Sequence, residues 1–242
     1  MLLKKIVGLV LKFFGYKAIK DPTHKKLKEF NINRRHKKNI IHFLHIGKNA
    51  GNQIKHIAND FNKHSKEVFI VSHPHHVKLK DIPSSDDYFF SLRDPVSRFV
   101  SGFYDQMNKP YDDETSNLTF NKFKTPNELA ESLFNDSDLS GYIALKNIGH
   151  ISHNQVDWFE NYGDLYNKRA PLKVIFVESF EKDLNDLFKK IDESFTFNIY
   201  KDEKSNSNFY PEANLSDSAM KNLVNWYSLD FEFYKYCKQN NF

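Results

Sequence analysis

A chain of 242 residues, 40% hydrophobic and 27% charged, can bury one sizeable core and is too apolar to be disordered. Its formal net charge of +4 is modest and sits largely before residue 40, so the dense basic stripe of a nucleic-acid binder is missing and no nucleic-acid partner is expected. A single cysteine, Cys237, excludes an intramolecular disulfide, and no His/Cys cluster has structural zinc spacing.

The first twenty residues, MLLKKIVGLVLKFFGYKAIK, are interrupted by Lys12, fall short of a membrane span and lack the small-residue site of a cleaved signal. On a helical wheel Leu2, Leu3, Ile6, Val7, Val10, Phe13 and Phe14 share one face, and Lys4, Lys5 and Lys12 lie on the other. That helix either lies in the plane of an anionic membrane or packs on the core or a second subunit. A cytoplasmic protein with peripheral membrane contact through residues 1–20 is the expectation. Residues 20–38 are polar and basic, a linker. The chain therefore divides into residues 1–38, an amphipathic helix and linker, and residues 39–242, a single domain.

The core begins at Asn39. IIHFLHI is a short, nearly continuous apolar run, as in a strand buried on both faces of a parallel sheet, and a helix is expected from Asn52 to Lys63. EVFIVS (67–72) and YFFSL (88–92) read as the next strands. Pro95 fits the first turn of a helix running to Met107, with Asp94 as N-cap. Residues 108–127 read as a long surface loop. A helix near 127–135, a helical segment at 153–161, a strand in KVIFVES (173–179) and a helix in SFEKDLNDLFKKI follow. Residues 201–215 read as loop. One last helix spans 216–240, with Leu223, Val224, Trp226, Tyr227, Phe231, Phe233 and Tyr234 as packing residues. Strands alternating with helices predict an α/β layer fold with a mostly parallel sheet.

Two segments carry chemistry. In the first, Ile40–Gln53, a buried strand ends in a small-residue turn that holds Lys48 and opens a helix. Backbone N–H groups at such a helix start favour an anion, and Gly47 and Gly51 let the backbone approach it. The ATPase pattern GxxxxGK[ST] is absent: Asn49 stands where Ser or Thr would meet Mg²⁺. In the second, LRDPVSRFVS, Arg93 ends a strand, Asp94 and Pro95 start a helix, and Arg98 and Ser101 lie on neighbouring turns, with Asp94 able to pair with Arg98. This reads as an Arg and a Ser presented to a second phosphate, or as a capped helix with a surface ion pair.

The pair of motifs resembles the sulfotransferases. FLHIGKNAGNQI is similar to their 5′-phosphosulfate loop, H-x-P-K-x-A-G-T-S, and LRDPVSRFVS to their 3′-phosphate motif, R-D-P-x-x-R-x-x-S. The branch it most resembles is the carbohydrate O-sulfotransferases, the heparan and chondroitin sulfate enzymes and their bacterial relatives. Val177–Asp183 resembles the family's strand followed by E-x-L-x-x-D, and Trp226–Tyr234 its Y-x-x-D-F-E segment. Gly47 stands in place of the usual Pro, and Asn52 and Gln53 in place of Thr-Ser.

The resemblance implies a P-loop-type three-layer fold, with a central mostly parallel sheet flanked by helices. It implies transfer of a sulfonate from 3′-phosphoadenosine 5′-phosphosulfate (PAPS) to a carbohydrate hydroxyl, leaving 3′-phosphoadenosine 5′-phosphate (PAP), with no metal required. His45, Gly47, Lys48, Asn49, Ala50, Gly51, Asn52 and Gln53 would hold the 5′ end, and Arg93, Arg98 and Ser101 the 3′-phosphate. Lys48 would act on the transferred group, with His73 as general base because imidazole titrates near neutrality. His75, His76, His150 and Gln155 would line the acceptor side. A nucleotide kinase and a binding module that has lost the donor are the competing readings.

Overall fold

The computed structural model describes residues 39–108, 114–160, 169–200 and 214–240. The expected amphipathic helix in residues 1–20, the linker and most of the 201–215 loop lie outside these. No described helix is long and apolar enough to cross a membrane.

The structure is an α/β fold built on a parallel four-stranded sheet of β1 (Asn39–Leu44), β2 (Val68–Ser72), β3 (Asp87–Leu92) and β4 (Val174–Phe176), in the order β2-β1-β3-β4. Side chains alternate across the strands and supply two cores. Ile41, Phe43, Phe89 and Ile175 pack against α1 (Gly51–His64) and the later helix Phe180–Ile191. On the opposite face Leu44, Tyr88, Phe90, Leu92, Val174 and Phe176 pack against Trp158, Phe159, Phe233 and Cys237. Both faces being covered is what an all-parallel sheet requires, and it explains strands that are apolar but for buried His42 and Ser91 and the strand ends.

A third core is purely helical. Phe99 and Phe103 of α2 (Pro95–Met107) meet Leu129 and Ala130 of the helix Pro126–Glu131, Ala144 and Leu145 of Ser140–Asn147, and Ala219 and Leu223 of Asp217–Trp226. In chain order the helices after α2 are α3 (Glu114–Lys122), α4 (Pro126–Glu131), α5 (Ser140–Asn147), α6 (Phe180–Ile191), α7 (Asp217–Trp226) and α8 (Ser228–Gln239).

Several expectations are corrected. The 108–127 loop contains α3, from which Phe120 packs on the helical core, with Phe123 following it. Helix α5 was not anticipated; its four apolar residues, Tyr142 to Leu145, run consecutively without helical spacing, and Tyr142 and Ile143 are exposed. The described part of the 153–161 segment, up to residue 160, holds a single 3₁₀ turn, Gln155–Trp158. The last helix is two, α7 and α8, and Val224 is exposed rather than packed. Tyr227 separates them at φ −101° and ψ 25°, and its buried hydroxyl donates to the carbonyl of Ile151 at 2.7 Å.

The strand order positions the site. The chain leaves β1 toward β2 on one side, and β3 lies on the other. The loops after β1 and β3 therefore open side by side at the carboxyl edge, where open α/β sheets bind ligands.

Candidate active site

The turn after β1 is held in an uncommon backbone state. Lys48 has φ 69° and Ala50 φ 58°, both left-handed and both non-glycine. Ala50 is the N-cap of α1 and offers no side-chain bond to its first turn, so the opening amides, starting at Gly51, lack an N-cap side chain. Gly51 has a second reason to be glycine: a Cβ there would overlap the His45 ring. Gly51→Ala is expected to destabilise by about 1–3 kcal/mol, as overpacked sites do; a urea midpoint equal to wild type would refute this crowding.

Four buried side chains, Asn49, Ser91, Gln155 and Arg98, bolt this turn to its neighbours. Asn49 donates through Nδ2 to the Ser91 carbonyl at 2.8 Å and to Gln155 Oε1 at 2.7 Å, while Ser91 Oγ donates back to the Asn49 carbonyl at 2.6 Å. Gln155 also grips Arg93, accepting from its N–H at 3.1 Å and donating to its carbonyl at 2.9 Å. Arg98, 1% exposed, donates through Nε to the Gly47 carbonyl at 3.0 Å and through its other nitrogens to the carbonyls of His153 and His150. Asp230 of α8 lies 3.7 Å from the same guanidinium. Burial pushes the Asp230 carboxyl up to about 6 even though Arg98 pulls it down.

Over the turn lie three imidazoles. The His75 ring is 3.9 Å from His45 and 4.9 Å from His150, and His150 would meet a Cβ at Gly47 at 3.1 Å. His75 Nδ1 is 3.0 Å from the His45 carbonyl, so that nitrogen carries the proton. Burial, with His150, Lys55 and Lys48 nearby, lowers His75 from 6.5 to about 4. A base depressed on folding binds fewer protons folded than unfolded, so its contribution to stability is full above 6.5 and is lost as pH falls toward 4. Thermal stability should therefore drop across that window, and His75→Gln should flatten the drop; an unchanged slope in melts from pH 7 to 4 would exclude His75 as its source. Lys48 Nζ pairs with Asp105 Oδ1 of α2 at 3.2 Å, and Asp105 Oδ2 lies 3.9 Å from His150 Nδ1.

A sulfotransferase family model matches residues 28–237. The chain belongs to the sulfotransferase family. Comparison with curated proteins and with solved structures returned no match.

In this sulfotransferase the sequence-predicted residues separate into two groups. Gly47, Lys48, Ala50, Gly51 and Asn52 line or follow the turn after β1 and open α1, and Arg93 and Ser101 sit on the adjacent β3–α2 unit. Arg98 was expected at a ligand or paired with Asp94; it is sealed inside and ties the turn to the 150–153 segment. Asp94 instead caps α2, accepting from Ser97 N–H at 2.9 Å. Gln155, expected near the acceptor, and the Asn49 side chain are wholly buried struts. Gln53 pairs its amide with both main-chain groups of Tyr200. His76 is exposed, and His73 turns onto His42.

The two weaker family echoes turn out to be braces. Glu178 accepts from Asp94 N–H at 2.8 Å and from Tyr234 Oη at 2.7 Å. Asp183 accepts from Phe176 N–H at 2.9 Å and Ser179 Oγ at 2.6 Å. Sequence reasoning missed Asp105, and it held Asp230 only as the Asp of the Y-x-x-D-F-E echo, without its place beside Arg98. Asp105 follows Ser101 by four residues, so helical periodicity alone puts it on the face that meets the turn.

Proposed function

We propose that this sulfotransferase moves a sulfonate from PAPS to a hydroxyl of a carbohydrate acceptor, a polysaccharide or glycolipid. The observation that carries the reading is the bolted pair of βα units: one ends in an uncapped helix start beside Lys48, and the other carries Arg93 and, within α2, the buried Ser101. An adenosine bearing phosphates at both its 5′ and 3′ positions needs two anion sites held at fixed separation, and Asn49, Gln155 and Arg98 supply that rigidity.

The first-turn amides of α1 bind the 5′-phosphate, and Arg93 and Ser101 bind the 3′-phosphate. The Gln53 side chain, engaged with Tyr200, takes no part. Lys48 leaves Asp105 to neutralise charge on the oxygen that departs from sulfur, a contribution preorganised cations make to group transfer. His73 takes the hydroxyl proton. His75 is a poorer base because its neighbours Lys48 and Lys55 add to burial in disfavouring its charged form. His73 leads directly from β2, its N–H bonded to the Phe43 carbonyl at 3.1 Å, beside the strand that delivers Lys48.

Calorimetry with PAP and with ATP tests the donor site. Micromolar PAP binding with much weaker ATP binding is expected; no PAP binding would favour a module that has lost the donor, and magnesium-dependent ATP turnover would favour a kinase. Radiolabelled sulfonate transfer to a desulfated glycosaminoglycan tests the acceptor class.

A further inference from the structure

Along the sheet face that carries Leu44 and Phe90, three titratable side chains form a hydrogen-bonded line. His73 Nε2 lies 2.8 Å from His42 Nδ1, and His42 Nε2 lies 3.1 Å from Asp86 Oδ2. The two imidazole planes are within 9° of parallel, with centroids 5.1 Å apart. His42 is 2% exposed in the middle of β1, where a second apolar residue would fill the same space. A buried histidine kept between two polar partners instead calls for a reason.

The line has a direction. Asp86 precedes β3, at the sheet's amino edge, whereas His73 follows β2 at the carboxyl edge, the edge at which the chain leaves β1 for the Lys48 turn. The Asp86 end is fixed from several sides: Ser85 Oγ donates to Asp86 Oδ1 at 2.9 Å, and Arg169 donates to the carbonyls of Ile82, Pro83 and Asp86. Among the described residues Arg169, Asp87 and Tyr88 are titratable groups at that end, and the Arg169 guanidinium favours the ionised carboxylate.

Tautomers follow. An ionised carboxylate only accepts, so His42 carries its proton on Nε2. Neutral His42 then accepts at Nδ1, and the donor to it is His73 Nε2–H. That leaves Nδ1 as the basic nitrogen of His73. We propose that Asp86 and His42 are positioning residues that fix His73 in the Nε2–H tautomer and stabilise its imidazolium during transfer. The proposal rests on His73 being the general base of the reaction above.

The step balances without further reactants. The acceptor O–H bond breaks and its proton bonds to His73 Nδ1. The oxygen's electron pair forms the new O–S bond as the bond from sulfur to the phosphate oxygen breaks. The charge gained by His73 is offset through His42, whose own Nε2–H stays on the Asp86 carboxylate. The logic is that of a carboxylate-oriented histidine, lengthened by one imidazole.

Two-bond ¹H–¹⁵N spectra of ring-labelled wild-type protein read the tautomers directly. Both His42 and His73 should be protonated at Nε2. Asp86→Asn should lower the pH at which His73 titrates and cut kcat for sulfonate transfer at least roughly tenfold, with donor KM within about twofold and the melting profile and PAP affinity kept. Asp86→Glu should recover part of the rate, which a merely structural role does not require. An Nδ1–H tautomer on His73 of a wild type that binds PAP and transfers sulfonate, or Asp86→Asn with unchanged kcat and unchanged His73 titration, overturns the relay alone. A wild type with the expected tautomers that neither binds PAP nor transfers sulfonate overturns the donor reading, and the catalytic role of the line with it.

Discussion

Replacing Arg98 by Met should cost about 3–5 kcal/mol of stability, the loss seen when one partner of a buried ion pair is removed. The guanidinium is 1% exposed and serves the carbonyls of Gly47, His150 and His153 while facing Asp230 at 3.7 Å. Methionine fills much of the volume but leaves three carbonyls without their donor and a carboxyl without its cation. Asp230, already raised to about 6 by burial, would rise further and become neutral near pH 7, which recovers part of the loss. Arg98→Met with Asp230→Asn should therefore cost less than the sum of the two single changes, the signature of direct coupling. Lysine should not rescue, since one ammonium cannot reproduce a planar fork aimed at three acceptors. Urea unfolding at pH 7 measures all four proteins. A midpoint for Arg98→Met within about 0.5 kcal/mol of wild type, the spread of ordinary surface changes, would show that the turn does not depend on this residue.

Arg98 also marks how far the sequence could be read. Its place in an R-D-P-x-x-R-x-x-S helix was plain, and so was the helix, because Asp94 and Pro95 are start signals that act locally. The four strands were legible for a similar reason: each is a short β-branched or aromatic run, and burial on both faces removes the alternation that would otherwise confuse them. Its partner was not legible. Asp230 lies in a segment that reads as one amphipathic helix, and the Tyr227 between α7 and α8 is held by a bond to Ile151, far away in sequence. The same limit applies across the site. Asn49 reaches Gln155 over 106 residues, His42 reaches His73 over 31 and Asp86 over 44. Periodicity reports which face a residue occupies, and says nothing about which element will be laid against that face. Gln155 and Arg98 were thus expected at ligand from the family motifs they resemble, and only packing assigns them to the frame.

Lys48→Gly should separate stability from chemistry. Lys48 sits at φ 69°, a state that costs a side chain about 1–2 kcal/mol and costs glycine almost nothing. Glycine relieves that strain but adds freedom to the unfolded chain, and the ion pair to Asp105, partly exposed, is lost at a cost of under about 1 kcal/mol. These terms nearly cancel, so the folded state should keep its stability to within about 1 kcal/mol. The transfer rate should fall by about a hundred- to a thousandfold, the usual loss when one preorganised charge is removed from a developing anion. A single-turnover assay reads the chemical step, and PAP calorimetry reads whether the anion cradle survives. PAP lacks the sulfonate, so its affinity should weaken far less than the rate if Lys48 acts mainly on the departing oxygen. Left-handed backbone at a non-glycine residue persists only where something outweighs its cost. A Lys48→Gly protein that is clearly more stable yet transfers sulfonate at a near-normal rate would mean that the strained turn serves the fold, and that the charge acting on the sulfonate comes from elsewhere.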